Sequence, residues 1–164
     1  MFELQVRSLK LDSLSESEGD LLLEIGNEKA NAIWEAGIGQ QEGWEKPKGG
    51  DGRTAKEEWI KSKYLRRGFL EFSESDGKTY VERETKFTKD LYDAASRGDV
   101  LGVASALAHS GIPNWQNPDD GGKTALHICA LHKRSEGEEW KAIECAELLI
   151  QNGAKLDTGD NASH

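Results

Sequence analysis

Cysteine, basic residues and long apolar runs are all scarce in this sequence, and each scarcity excludes something. Two cysteines in 164 residues, Cys129 and Cys145, cannot form a disulfide scaffold, so a reducing compartment is the default. Two thiols alone also cannot complete a four-ligand zinc site. No stretch approaches the roughly 18 consecutive apolar residues of a membrane span; Leu21-Leu22-Leu23 is far too short. The opening MFELQVRSLK has neither the basic start nor the apolar stretch of a signal peptide. Basic residues are outnumbered, 21 against 30, for a net charge of -9. The deficit runs through both halves, with 14 basic and 18 acidic residues in 1–88 and 7 and 12 in 89–164. Nucleic-acid binders need a positive field, so nucleic acid is excluded as the main partner. What remains is a soluble, cytoplasmic chain, 36% apolar and 31% charged, long enough for one ordinary domain or two small ones.

Glycine divides the chain into blocks. Val6 to Asp12 alternates apolar and polar residues, as a short half-buried strand does, and Ser13 to Gly19 reads as a polar turn. From Asp20 to Trp34 the apolar residues Leu22, Leu23, Ile25, Ala30, Ile33 and Trp34 have helical spacing, interrupted at Gly26-Asn27. Two short helices joined at the glycine are expected. Residues 37–52 hold seven glycines or prolines and read as a loop. Thr54 and Glu57 suggest a capping box for a helix that carries Trp59, Ile60, Lys63, Tyr64 and Leu65 and stops at Gly68. Residues 73–88 are charged and poorly periodic and read as a linker. Two short apolar helices follow on either side of Gly98-Asp99, with Leu91, Ala94 and Ala95 in the first.

The second half repeats itself. Leu91 to Ala95 corresponds to Leu126 to Ala130 at an offset of 35, and Ala108 to Ile112 corresponds to Gln151 to Lys155 at a larger one. The difference is an inserted polar segment at 133–139. Gly122-Lys123-Thr124-Ala125-Leu126-His127, with Ala146 to Ala154 after it, resembles the ankyrin repeat, a helix pair with a period of about 33 residues. Thr124 then fits the helix N-cap, His127 bonds back across the turn, and Gly153 stops the second helix. The resemblance covers 89–164 as about two repeats. Such stacks usually need three or so, which implies either a neighbouring domain or a further repeat.

The first half resembles the C-terminal part of the Arf GTPase-activating domain. The resemblance rests on Val6 to Asp12, Glu24 to Glu35, Lys46-Pro47 and Glu57 to Tyr64, in that order and spacing. It covers 1–72 and implies a regulator of Arf-family small GTPases, of the centaurin type in which ankyrin repeats follow the domain. The motif residues include Arg7, Asp12, Gly26, Asn27, Asn31, Trp34 and Tyr64. Asn27 and Asn31 share a helix face and can bridge neighbouring backbone, while Trp34, Trp59 and Tyr64 suit the core. The family's domain opens with a four-cysteine zinc finger and a glycine-rich stretch bearing a catalytic arginine, both ahead of the Val-Arg-Ser-Leu segment. No cysteine precedes Cys129 and no arginine precedes Arg7, so neither zinc nor the arginine finger is expected in this chain. An arginine finger contributes roughly 10³–10⁵ in rate. The resemblance thus implies a fragment or short isoform of a GTPase-activating parent, with no catalytic residue and no cofactor, and not an enzyme with its own turnover. A non-catalytic interaction module is the alternative.

The fold expected is mainly α with a small α/β part: a truncated Arf GTPase-activating domain, then ankyrin helix pairs. Arg7, Trp115 and Trp140 are candidate partner contacts, although Trp115 and Trp140 suit packing equally well. Lys56, Lys61, Lys63, Arg66 and Arg67 form a basic helix face suited to an acidic membrane or GTPase surface. An ordinary solvated face with a Glu57–Lys61 pair is the favoured reading. Partners implied are an Arf-family GTPase and proteins bound by the ankyrin part, with a weak acidic-membrane contact at endosomal or plasma membranes.

Overall fold

The computed structural model describes residues 13–72, 79–131 and 141–160. Among them are six α-helices: α1 (Glu16–Trp34), α2 (Arg53–Ile60), α3 (Tyr80–Ser96), α4 (Val100–Ala108), α5 (Ala125–Leu131) and α6 (Ala142–Gln151). The described residues hold no strand, only an isolated antiparallel bridge between Asn117 and Lys123. The strand expected over Val6–Asp12 and the insertion at 133–139 lie outside the described residues, as do Arg7, Asp12 and Trp140.

The chain forms two compact units. Helix α1 belongs to both, because Gly26 inside it has φ 58° and ψ 171°, a backbone region that is essentially glycine-only. The expected break at Gly26 is present. The part of α1 up to Gly26 belongs to the second unit and Asn27 onward to the first. The polar turn expected over Ser13–Gly19 is corrected from Glu16 on, where the chain is helical. Ser15 is the reason. Its Oγ accepts from the Glu18 N–H at 3.2 Å, and its own N–H donates to the Glu18 carboxylate at 2.8 Å, which completes a capping box.

In the first unit, the helix over 27–34 is followed by a loop that brings Trp44 onto a buried aromatic cluster. Trp59 and Phe69 are buried, with ring centroids 4.6 Å apart, and Trp44 stands 5.0 Å from Phe69 and 6.3 Å from Trp59. Gly37 allows the closest backbone approach: its N–H donates to the Phe69 carbonyl at 2.8 Å, and a Cβ there would sit 2.5 Å from the Leu70 oxygen. Helix α2 starts two residues earlier than expected. Gly52 is its N-cap without a side-chain bond, so the Thr54–Glu57 capping box is not formed; Glu57 pairs with Arg53 instead, at 2.6 Å. The helix runs on through a π-turn over Lys61–Leu65. It ends with Arg67 at φ 53° and the Gly68 N–H on the Ser62 carbonyl at 2.9 Å. The helix stop expected at Gly68 is thus made with Arg67 in the left-handed conformation.

The second unit is built of two helix pairs, α3–α4 and α5–α6, with the 16–25 part of α1. The linker reading of 73–88 is corrected over 80–88, which form the first turns of α3. Thr79 caps it, with its side chain accepting from the Glu82 N–H and the Glu82 carboxylate returning to the Thr79 N–H at 2.7 Å. Leu91, Ala94 and Ala95 face inward at helical spacing, and Val103, Cys145 and Leu149 join them in a continuous core with no exposed surface. Asp99 caps α4 through the Gly102 N–H at 2.8 Å. The two helix pairs correspond in the register that the matched segments predict. Ser110 (φ 74°) and Gly153 (φ 89°) hold the same left-handed position, and Gly111 corresponds to Ala154. The next residue's N–H bonds back five residues in both, Gly111 to Ala106 at 2.8 Å and Ala154 to Leu149 at 2.9 Å. Gly111 is small for a different reason: a Cβ would stand 2.8 Å from the Phe87 carbonyl.

Candidate functional site

In the first unit the motif residues converge on one buried lysine. The π-turn over Lys61–Leu65 shifts the helical register by one residue, and Lys63 is turned inward, with its side chain only 5% exposed. Its ammonium donates to the Asn31 side-chain oxygen and to the Glu35 carboxylate at 2.7 Å. Glu35 also accepts from Lys46 at 2.8 Å. Burial raises the Glu35 pKa, but the bonds from Lys46 and Lys63 outweigh it and hold the carboxyl below its ordinary range. Beside the lysine, Tyr64 packs edge-to-face on Trp34 with centroids 5.1 Å apart. The cluster is a satisfied ion network flanked by aromatic rings, which fixes the relative position of the 27–35 and 61–67 segments. Its charges are already neutralised by one another, which suits a rigid recognition surface better than proton transfer.

Asn31 therefore bonds a side chain through its amide rather than bridging backbone, and Asn27, four residues earlier, is exposed. Trp34 and Tyr64 are half-buried rather than fully core. The basic helix face is largely occupied within itself. Lys56 donates to the Gly49 carbonyl at 2.6 Å, Lys61 and Arg66 both reach Glu58, and Lys63 is internal. Bonds from Arg66 and Lys61 hold the Glu58 carboxyl below its usual range. The anticipated Glu57–Lys61 pair is replaced by Arg53–Glu57 and Lys61–Glu58. The sequence places Lys63 only on the basic helix face and does not single out Glu35, because the pair is separated by 28 residues and needs the π-turn to form.

In the second unit Thr124 and His127 stand as the sequence predicts. Thr124 is buried and precedes α5. Its Oγ1 lies 2.8 Å from the His127 Nδ1, which also accepts the Thr124 N–H at 3.1 Å. His127 is thus a structural fastener with its Nδ1 occupied by its own turn. Asn114 ties successive turns together, donating to the Gly153 carbonyl and accepting the Lys155 N–H, both at 2.8 Å. Trp115 does not stand out as an anchor. It is half-buried against the core and meets Tyr92 edge-to-face at 5.9 Å, so the packing reading holds for it. The Tyr92 hydroxyl donates to Asp120 at 2.6 Å; burial and that carboxylate push its pKa well up. Bonds from Lys123 and Tyr92 hold Asp120 down in turn.

Both thiols are free and buried. Burial pushes Cys129 up to about 11 and Cys145, with the charges of Cys129, Glu144 and Asp99 added, up to about 12, so both are protonated near neutrality. A surface cavity of about 330 Å³ between α3 and α4 is lined by Lys86, Asp90, Asp93 and Arg97 among others. Its charges are of both signs, with Lys86 held by Asp90 at 2.5 Å, and they select no ligand class.

The comparisons with known proteins fall on the same two parts. Residues 3–73 match the ArfGap family, described as a GTPase activating protein for Arf, and residues 121–161 match the ankyrin repeat family. The chain is 39% identical over 82 residues to the chicken (Gallus gallus) Arf-GAP with coiled-coil, ANK repeat and PH domain-containing protein 2, covering 50% of this chain and 10% of that protein. It is 42% identical over 66 residues to the human protein 3 of the same name, covering 40% and 8%. It is 26% identical over 120 residues to the Caenorhabditis elegans Arf-GAP with ANK repeat and PH domain-containing protein cnt-1, covering 72% and 14%. The chain therefore spans between 8% and 14% of the length of these relatives. The described residues show no site that fits the zinc ion of the family's domain. Both cysteines lie in the core of the second unit, and no group of three His, Cys, Asp or Glu among the described residues is arranged to hold a metal. The segment over 3–73 with the buried Asn31–Glu35–Lys63 network and the helix pair with its Thr124–His127 fastener are accordingly an ArfGap domain followed by an ankyrin repeat.

Proposed function

We propose that this chain regulates Arf-family GTPases by binding them through its ArfGap segment, that its ankyrin part takes a protein partner, and that these 164 residues do not themselves accelerate GTP hydrolysis. The observation that carries the reading is the joint match in one order, ArfGap at 3–73 and ankyrin at 121–161, shared with relatives whose names join Arf-GAP to ANK repeat. The GTP is consumed by the GTPase, so the family's role is that of an activator rather than an enzyme with its own turnover.

The lack of activation rests on the chemistry of the transferring phosphoryl group. Its charge is neutralised by an inserted arginine, worth roughly 10³–10⁵ in rate. By the family resemblance that arginine comes from a glycine-rich stretch ahead of Val6, and the first arginine in this sequence is Arg7. Of the later arginines, Arg53 and Arg66 are engaged with Glu57 and Glu58. In a longer parent, the same segment would serve GTPase activation. Arg7 then contributes contact with the GTPase, and the stiff 27–35/61–67 pair supports that contact. The action is cytoplasmic, at the surface of endosomal or plasma membranes, with little direct lipid attraction because the α2 lysines and arginines are paired internally. Titrating GTP-loaded Arf into the chain by calorimetry tests the binding: saturable heat is expected with Arf and none with a Ras-type GTPase. No heat with any Arf would overturn the proposal.

A further inference from the structure

The segment Ser13-Leu14-Ser15-Glu16-Ser17-Glu18-Gly19-Asp20 places an acidic residue three positions after each of its three serines: Glu16, Glu18 and Asp20. The serines are not equivalent. Ser13 is exposed ahead of α1, and Ser15 is the N-cap. Ser17 instead donates its hydroxyl proton to the Glu147 carboxylate of α6 at 2.9 Å. That bond helps to hold the 16–25 segment on α6, together with Gln151 to Glu18 at 3.2 Å and Lys141, just ahead of α6, to Glu24. Beneath them Leu21 is buried and Ile25 packs on the same core. Ser17, Glu18, Leu21, Glu24 and Ile25 and their partners on 141–151 all belong to the second unit.

We propose that Ser17 is a phosphorylation site for an acidophilic protein kinase, and that its modification releases the 16–25 segment from α6. In the transfer, the Ser17 Oγ attacks the γ-phosphorus of ATP. The bond from that phosphorus to the β-bridging oxygen breaks, ADP leaves, and the hydroxyl proton passes to a base of the kinase. Glu16, Glu18 and Asp20 supply the acidic recognition that such a kinase reads. Ser17 lies in the first turn of its helix, where ends fray and admit an enzyme.

The consequence follows from the one partner Ser17 has across the packing. A hydroxyl that donates to Glu147 becomes a phosphate of about -1.5 to -2 charge that, when fully ionised, can only accept. Two anions then stand where one hydrogen bond stood. Gln151, next to them, donates to Glu147 at 2.9 Å and is the last residue of α6, at the negative end of that helix's dipole. The N-terminus of α1 does favour a phosphate, but that gain stays with the segment whether docked or released and cannot offset the repulsion. Release uncovers Leu21 and Ile25 and the α6 surface they occupy. This inference does not depend on the Arf reading.

The test uses the whole chain with phosphoserine installed at position 17. Amide hydrogen exchange over 141–151 and 16–25 is expected to quicken by about tenfold or more relative to the unmodified chain. Glu147→Gln in the phosphorylated chain is expected to restore slow exchange, because its amide can donate to the phosphate. Ser17→Ala, which removes the bond without adding charge, should quicken exchange far less. In parallel, an acidophilic kinase with ATP should add phosphate to Ser17, mapped by mass spectrometry. Unchanged exchange in the phosphorylated chain, failure of Glu147→Gln to rescue, equal release by Ser17→Ala, or modification confined to Ser13 and Ser15 would each overturn the proposal.

Discussion

Replacing Lys63 with methionine keeps most of the apolar stem and removes the ammonium from its place between Asn31 and Glu35. Breaking a buried ion pair by deleting one partner costs about 3–5 kcal/mol, because a charge is left uncompensated. Here the loss is partly relieved. Glu35 keeps its bond to Lys46, and its side chain is 15% exposed, so about 2–3 kcal/mol is the expected destabilisation of the first unit. Hydrogen exchange reads this locally, as amides over 27–35 and 53–65 exchanging roughly 30 to 150 times faster at fixed pH. Lys46→Met serves as the comparison. Lys46 is more than half exposed, and surface pairs contribute about 0–1 kcal/mol, so its effect should be several times smaller. The pH dependence has a definite sign. The Glu35 carboxyl is held below its unfolded value, so its contribution is fully present above the ordinary carboxyl range near 4.3. It is lost as pH falls through the lowered folded value. In Glu35→Gln this loss should be absent from that window. A change under twofold in Lys63→Met, or an equal effect from Lys46→Met, would refute the account of a buried network.

Gly26→Ala should destabilise by about 1–3 kcal/mol, measured by urea unfolding, since alanine resists φ 58° with ψ 171°. No atom stands within 4 Å of the added Cβ, so the whole effect is backbone strain, and an unchanged midpoint would contradict it. Thr124→Val keeps the shape but deletes the hydroxyl between the turn and His127. A loss of about 1–2 kcal/mol in thermal unfolding is expected.

The features legible in the sequence are those set by neighbours along the chain. Gly26 was readable because glycine at a break in apolar spacing has few other uses. Thr124 and His127 were readable because their bond closes over three residues. What escaped depends on distant partners. Lys63 looked like one of several surface lysines, and only the π-turn and the approach of Asn31 and Glu35 bury it. Leu21 and Ile25 mark an apolar stripe, but a stripe does not say what it packs against, and the 16–25 part of α1 packs in the ankyrin unit. The repeat register is legible from the matched segments, but not that Ser110 holds the left-handed position where its counterpart is Gly153, nor that Gly111 is small because of the Phe87 carbonyl. The start of α3 did carry its signal, Thr79 with Glu82, hidden in a charged stretch whose exposed Tyr80 and Val81 break the pattern.

Single-turnover hydrolysis on GTP-loaded Arf, with this chain in excess and binding established beforehand, is the most direct test of the central claim. The account predicts the intrinsic rate, unchanged whether position 7 is arginine or, in Arg7→Ala, alanine. A thousandfold acceleration that Arg7→Ala abolishes would mean that Arg7 supplies the transition-state charge, contradicting the reading of this chain as a binder that does not activate.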